Sequence, residues 1–317
     1  MEFIQLKGVK KYFKDQPIFD NVDFTIEEGD VVGLIGESGS GKTTLLNVIS
    51  GFLPPCSGEV VYFSKIDHQP KDLHKNFSKI KNHIGFTHQH YSFYPHLTVK
   101  ENILHFGHLY GLKKNIVIDN AKSILDFTGL YEHRNKIAEH LSGGMQRRLD
   151  ISCSLIHKPK LLFLDEPTAD LDPLKQDEII NLIKELNMQG VTIIIASHHL
   201  ESLEKICNKI ALIKSGKVTF YQNVEDIRKP FLKENVVINI QVGSDKEKII
   251  NLIKKLPLKK ITDQGHQLVI EADRTDIALI ALLKTIKNEE LYLHDIDFRK
   301  PSLSEVFKEI SCEEKNL

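Results

Sequence analysis

One segment of the chain has the residue types and spacing that bind phosphate. Residues 36–43 read GESGSGKT, which fits the pattern GxxxxGK[ST]. The segment follows the apolar run 31–35 and precedes a run in which apolar residues recur at helical spacing. In a strand–loop–helix context, glycines let backbone N–H groups surround phosphate oxygens, and the helix N-terminus adds partial positive charge. The sequence therefore predicts a cradle for the phosphates of a nucleotide.

Two side chains at the end of this loop have separate predicted tasks. Lys42 would reach the β- and γ-phosphates, and the Thr43 hydroxyl would bind Mg²⁺. A dinucleotide-binding GxGxxG begins at Gly39, but it fails because Thr44 stands where the third glycine belongs. The loop residues predicted to bind nucleotide are Gly36, Glu37, Ser38, Gly39, Ser40, Gly41, Lys42, Thr43 and Thr44.

A second candidate lies at the end of an apolar run. Residues 161–166 read LLFLDE, a buried-type strand that ends in two carboxylates. Ligands of open α/β sheets bind at the carboxyl ends of the strands. Asp165 is therefore a candidate Mg²⁺ ligand, direct or through water, and Glu166 could deprotonate the attacking water. Taken alone, the pair could also be a solvated acidic turn before Pro167.

A third segment carries a family resemblance. Residues 141–146 read LSGGMQ, and Ser142, Gly143 and Gly144 open a predicted helix whose start offers N–H groups and a hydroxyl to an anion. This segment resembles the signature sequence of the ATP-binding subunits of ABC transporters. In that family the helix start meets the γ-phosphate held by a partner subunit. The resemblance implies a composite site, with two molecules of ATP bound between two subunits.

Other matches to this family carry over residue by residue. Gln89 matches the glutamine that touches Mg²⁺ and the attacking water, on a loop that faces the membrane partner. Asp172 ends a segment that matches the loop at the subunit interface, and His198 matches the histidine that contacts the γ-phosphate. Tyr12 matches the aromatic residue that stacks on adenine, although the adjacent Phe13 could take that place.

The elements that must position these residues indicate an α/β fold. The runs 31–35, 161–164 and 191–196 are short, rich in β-formers and do not alternate in polarity, which is typical of parallel strands covered on both faces. The resemblance covers residues 2 to about 230 and implies a P-loop NTPase domain at 1–230 of the ABC type, with a helical subdomain.

A different pattern follows this domain. We predict a small accessory α+β domain over residues 235–317, because its strands and helices have the order β-α-β-β-α-β of ferredoxin-like domains. From the N- to the C-terminus, we predict a strand at 236–242, a helix at 245–256, a hairpin at 260–272, a helix at 275–287 and a strand at 291–298.

Composition limits the function classes. The formal net charge of −1 offers no basic field for a nucleic acid, so we expect no nucleic-acid partner. The four cysteines form no CxxC pair, which argues against a zinc site or a disulfide framework. The longest apolar run, 277–283, is far shorter than the roughly 20 residues of a membrane helix. A membrane-spanning partner would therefore be a separate polypeptide.

The resemblance narrows the expected function to transport. Residues 158–168 and 302–307 are similar to exporter-type bacterial subunits that carry a small C-terminal domain. Such a chain would hydrolyse MgATP, form a homodimer or pair with a related ATPase, and drive a separate permease from the cytoplasmic face of the membrane. The alternative is an ABC ATPase that acts on ribosomes or in DNA repair. A GTPase is disfavoured because the guanine-binding pattern NKxD is absent.

Overall fold

The structure is a computed structural model of the 317-residue chain. It describes residues 1–14, 16–63, 69–214 and 216–227, and beyond these residues 237–242, 250–251, 254, 260–263, 267–271, 280, 283–284, 287, 293–299 and 302–304. The chain divides into two compact units, Met1–Asn223 and Val224–Leu317.

The first unit mixes strands and helices. Its strands are β1 (Glu2–Phe13), β2 (Gln16–Glu27), β3 (Val31–Ile35), β4 (Ser57–Phe63), β5 (Pro70–Asp72), β6 (Ile84–Thr87), β7 (Leu161–Asp165), β8 (Thr192–Ala196), β9 (Lys209–Lys214) and β10 (Lys217–Asn223). Its α-helices are α1 (Lys42–Ile49), α2 (Phe77–Ile80), α3 (Val99–Leu109), α4 (Lys114–Phe127), α5 (Gly143–Leu155), α6 (Pro173–Met188) and α7 (Leu200–Ile206).

The central sheet brings the predicted site residues to one edge. Its strand order is β10-β9-β3-β8-β7-β6, in which β10 is antiparallel to β9 and all the other pairs are parallel. Every residue of β3, β7 and β8 is buried, as predicted for strands covered on both faces. Since parallel strands end at the same edge, the segments that follow β3, β7 and β8 lie side by side. The predicted α/β class is confirmed.

The second sheet forms an antiparallel layer of order β2-β1-β4-β5. A common core includes residues from both sheets and from α1, whose Leu45, Leu46 and Ile49 side chains are fully buried. Helix α1 ends at Ile49, and Gly51 follows in the left-handed conformation with φ 88°. A Cβ at Gly51 would lie 2.6 Å from the ring of Phe77, so this turn requires glycine for conformation and for space.

The helices α3, α4 and α5 pack against one another and form the predicted helical subdomain. Helix α3 begins with a capping box, in which the Thr98 side chain accepts the N–H of Glu101 and the Glu101 carboxylate accepts the N–H of Thr98. Helix α5 begins after Ser142 and ends before Pro159, and its Leu149 and Cys153 side chains are buried.

The described part of the second unit is an antiparallel sheet. Its strands are β11 (Val237–Val242), β12 (Lys260–Asp263), β13 (Gln267–Glu271) and β14 (Leu293–Arg299), in the order β12-β13-β11-β14. These strands lie where the sequence predicts strands. The predicted helices 245–256 and 275–287, the boundary at 230–235 and residues 305–307 lie wholly or mostly outside the described residues. Among the described residues, no helix has the length and apolar character to cross a membrane.

Candidate functional site

The segment 36–43, called the phosphate loop below, connects β3 to α1 and contains glycines in the left-handed conformation. Gly41 has φ 99°, and a Cβ there would meet the Ile18 side chain at 2.9 Å. The Lys42 ammonium lies across the loop and donates hydrogen bonds to the carbonyl oxygens of Gly36 (2.8 Å) and Glu37 (3.0 Å). Burial lowers the pKa of Lys42 below its usual value, and the nearby charges of Glu166 and Asp165 offset only part of this shift. The ammonium of Lys42 is thus held beside the N-terminus of α1.

The residues predicted to bind Mg²⁺ lie close together. The Thr43 hydroxyl donates a hydrogen bond of 3.3 Å to Asp165 Oδ1, although 122 residues separate them in sequence. Asp165 is buried, and burial raises the pKa of its carboxyl group. Hydroxyl and carboxylate oxygens fit Mg²⁺, which takes oxygen ligands and is usually bound by one or two protein groups together with substrate phosphates.

The Glu166 carboxylate is fixed by the end of the neighbouring strand. Its Oε2 accepts a hydrogen bond from the Ser197 hydroxyl at 2.8 Å. Its Oε1 accepts the backbone N–H of His198 at 3.1 Å and lies 2.7 Å from Nδ1 of the same histidine. The backbone of Glu166 is left-handed, with φ 48°, and its N–H donates to the Ala196 carbonyl. A strained backbone at a strand end, together with a carboxylate that several neighbouring groups hold in place, is typical of a functional position.

Lys42, Thr43, Glu166 and His198 line a cavity of about 360 Å³, whose lining does not include Asp165. An ammonium, hydroxyls, a carboxylate, an amide and an imidazole from four separate segments converge on it, which fits a polyphosphate with a bound cation. The lining residues are Ile18, Ser38, Gly39, Gly41, Lys42, Thr43, Thr44, Gln89, Glu166 and His198.

Other predicted residues lie at helix starts away from this lining. Ser142 is the N-cap of α5 and accepts the N–H of Met145 at 3.4 Å. Asp172 is the N-cap of α6 and accepts the N–H of Lys175 at 3.1 Å. The cavity lining therefore includes neither the Ser142–Gly144 segment nor Asp172. Within one chain, the residues predicted to contact nucleotide do not all line this cavity.

Tyr12 is not among the lining residues either. Its hydroxyl donates a hydrogen bond of 3.4 Å to Asp20 Oδ1, and the adjacent Phe13 is half exposed. Sequence analysis did not single out Ile18, which lines the cavity from β2, because an apolar residue of a strand carries no local signal for such a role. It also missed Ser197, although a hydroxyl at the end of an apolar strand is a local signal for a site residue.

Comparisons with known proteins agree with this geometry. A family described as "ABC transporter" matches residues 19–169. The chain is 30% identical over 307 residues to the linearmycin resistance ATP-binding protein LnrL of Bacillus subtilis (strain 168), with 96% of each chain covered. It is 27% identical over 316 residues to the daunorubicin resistance ATP-binding protein DrrA3 of Streptomyces coeruleorubidus, which covers 99% of this chain and 97% of that protein.

A solved structure shows the same fold. The cbiO1 protein from Clostridium perfringens, part of the ABC transporter complex cbiONQ, superposes with a TM-score of 0.65 and 26% sequence identity. The match covers 81% of this chain and 97% of that one.

Proposed function

Because this chain belongs to the family of ABC transporter ATP-binding proteins, we propose that it powers export through a separate membrane permease. Binding and hydrolysis of ATP are the activity of that family. In this proposal the residues of the cavity bind and hydrolyse ATP, two chains share each ATP site, and hydrolysis drives the permease. One observation carries it: Lys42, Thr43, Gln89, Glu166 and His198 line the same cavity.

Each of these residues has a chemical task in the proposed reaction. Lys42 binds the β- and γ-phosphates, and Thr43, Gln89 and Asp165 hold Mg²⁺, directly or through water. The ion neutralises charge on the phosphates when it is bound. Glu166 accepts a proton from the attacking water. At the same time the water oxygen bonds to the γ-phosphorus, and the bond between the γ-phosphorus and the leaving oxygen of ADP breaks.

His198 contacts the γ-phosphate in this proposal. In the structure its Nδ1 lies 2.7 Å from Glu166 Oε1, so the histidine also orients the carboxylate that takes the proton. The backbone N–H of His198 and the Ser197 hydroxyl hold the same carboxylate independently of the ring. Glu166 would therefore keep its place when the imidazole turns toward a phosphate.

The site is completed by a second chain. Ser142, Gly143 and Gly144 form the start of α5 and, like Asp172, do not line the cavity of their own chain. A helix start with free N–H groups binds an anion well, and in a two-fold dimer each start can face the cavity of the partner. Two identical sites would form, and each would use the phosphate loop of one chain and the α5 start of the other.

The similarity to resistance proteins supports export. LnrL and DrrA3, both named for resistance to a drug, match nearly the whole length of this chain rather than its ATPase unit alone. Because no described helix can span a membrane, the permease would be another polypeptide, and this chain would lie against it at the cytoplasmic face. The comparisons do not favour a ribosomal or DNA-repair ATPase. Residues 235–317 would brace the dimer or modulate the permease contact.

Transport in inverted membrane vesicles tests this proposal. Cells would express the chain together with the multi-span protein encoded beside its gene, and daunorubicin fluorescence would report uptake. We expect ATP-dependent accumulation with the unsubstituted chain and none with Glu166→Gln, since the drive depends on hydrolysis. ATP-dependent loss of daunorubicin from preloaded vesicles would contradict export. Fractionation of the chain with ribosomes in place of membranes would contradict the transport role.

A further inference from the structure

The segment that carries Gln89 is held by a buried arginine. Arg147 lies in the second turn of α5 and is only 3% exposed. Its guanidinium donates hydrogen bonds of 3.1 Å to the carbonyl oxygens of His88 and Gln89, and it lies 4.9 Å from the ring centre of Tyr91. A planar guanidinium that bonds two consecutive carbonyls fixes the backbone in direction as well as in position.

A buried aspartate on the same helix holds the other end of this segment. Asp150 Oδ1 accepts the N–H of Ser92 at 2.8 Å, and Oδ2 lies 3.7 Å from Arg147 Nη1. The two charged groups thus compensate each other while each binds backbone groups of residues 88–92. The Tyr91 hydroxyl adds a hydrogen bond of 3.4 Å to the Gly143 carbonyl at the start of α5. Burial raises the pKa of Asp150 to about 6, so assays near pH 8 find it ionised.

We propose that Arg147 and Asp150 are positioning residues, which hold Gln89 at the cavity in a fixed relation to the start of α5. The inference rests on the proposed function, because it assumes that Gln89 contacts Mg²⁺ and the attacking water. In the proposed dimer this ion pair would also link the two ATP sites. Ser142, the cap of the same helix, serves the partner's site, so one buried ion pair ties the Gln89 contact of one site to the element that completes the other.

The neighbouring arginine provides a matched control. Arg148 follows Arg147 on α5, but its guanidinium donates to the Thr128 carbonyl at 3.3 Å and pairs with Glu178 at 3.1 Å. These partners lie on α6 and after α4, not in the segment 88–92. Loss of Arg148 therefore removes an arginine of α5 with its hydrogen bond and ion pair and leaves the hold on Gln89 intact.

A double-mutant cycle with Gln89 separates positioning from a general structural role. We expect Arg147→Met to lower kcat for MgATP roughly 10- to 100-fold, with the equilibrium Kd of ATP changed less than about two-fold. In a Gln89→Ala background the same substitution should change kcat by less than about two-fold, because the residue it positions is gone. Arg147→Lys should restore part of the loss, and Arg148→Met should leave kcat near that of the unsubstituted chain.

Hydrogen exchange gives a readout that does not depend on hydrolysis. Exchange of the backbone amides in residues 88–94 should accelerate about ten-fold in Arg147→Met and Asp150→Asn, and not in Arg148→Met. Unchanged exchange, or kcat losses that multiply in the double variant, would overturn the inference. If the unsubstituted chain hydrolyses no ATP, the proposed function fails, and the exchange result still decides whether the pair holds this segment. Arg147→Lys keeps the buried charge compensated and replaces Arg147→Met if that variant does not fold.

Discussion

Glu166→Gln should leave ATP binding intact and lower turnover by about 10²- to 10⁴-fold, the usual contribution of a general base. The glutamine amide has the shape of the carboxylate, but it cannot accept the proton of the attacking water. The structure supports this expectation, because the Ser197 hydroxyl and the backbone N–H of His198 hold the carboxylate at the cavity. Phosphate release and equilibrium binding of labelled ATP measure the two effects separately.

The Glu166→Gln variant should also accumulate as an ATP-bound dimer, since hydrolysis no longer opens it, and size-exclusion chromatography with ATP would show this species. Glu59→Gln is the matched control. Glu59 is an exposed glutamate of β4 that pairs with Lys7 at 3.4 Å, outside the cavity lining. Turnover of Glu166→Gln within a few-fold of the unsubstituted protein would remove Glu166 from the role of general base.

Lys42→Ala should weaken ATP binding itself. The ammonium makes charge-assisted bonds, and loss of one such partner costs about 1.5–3 kcal/mol, which corresponds to a roughly 10- to 100-fold rise in Kd. Lys42 also bonds the carbonyl oxygens of Gly36 and Glu37, so part of the loss would come from a loosened loop. Equilibrium binding of labelled ATP measures the effect.

Lys205→Ala controls for loss of a lysine elsewhere. Lys205 pairs with Asp177 at 2.7 Å, and both side chains are exposed. Its loss should leave the Kd of ATP unchanged. An unchanged Kd in Lys42→Ala, with the variant folded by circular dichroism, would mean that the segment 36–43 does not bind phosphate.

The segments of the candidate site were predictable because their signals are local. Glycines at 36, 39 and 41 mark a tight turn, and an apolar strand that ends in Asp165 and Glu166 places both at a sheet edge. The rule that parallel strands end at one edge then brings these segments together. The structure has them on one cavity, in the order β3, β8, β7 across the sheet.

The contacts that sequence analysis missed depend on register and on tertiary packing. Ile18 lines the cavity from β2, where its side chain lies 2.9 Å from the place of a Cβ at Gly41, and no local pattern specifies this proximity. Arg147 looks like one of two equivalent arginines on an amphipathic helix, and only the packing of α5 against the segment after β6 distinguishes it from Arg148. The contact between Arg147 and Gln89 joins residues that are 58 apart in the chain, where periodicity carries no information.

The central claim, a site shared by two chains, is tested most directly by mixing two inactive variants. In the proposed dimer Ser142→Arg would place bulk at the partner's γ-phosphate, and Lys42→Ala would damage the chain's own phosphate loop, so each homodimer should be nearly inactive. A mixed dimer has one site with both changes and one site with neither. At equal mixing half of the dimers are mixed, so ATPase activity should rise toward about a quarter of the unsubstituted value. Activity that stays at the average of the two variants alone would contradict the shared site.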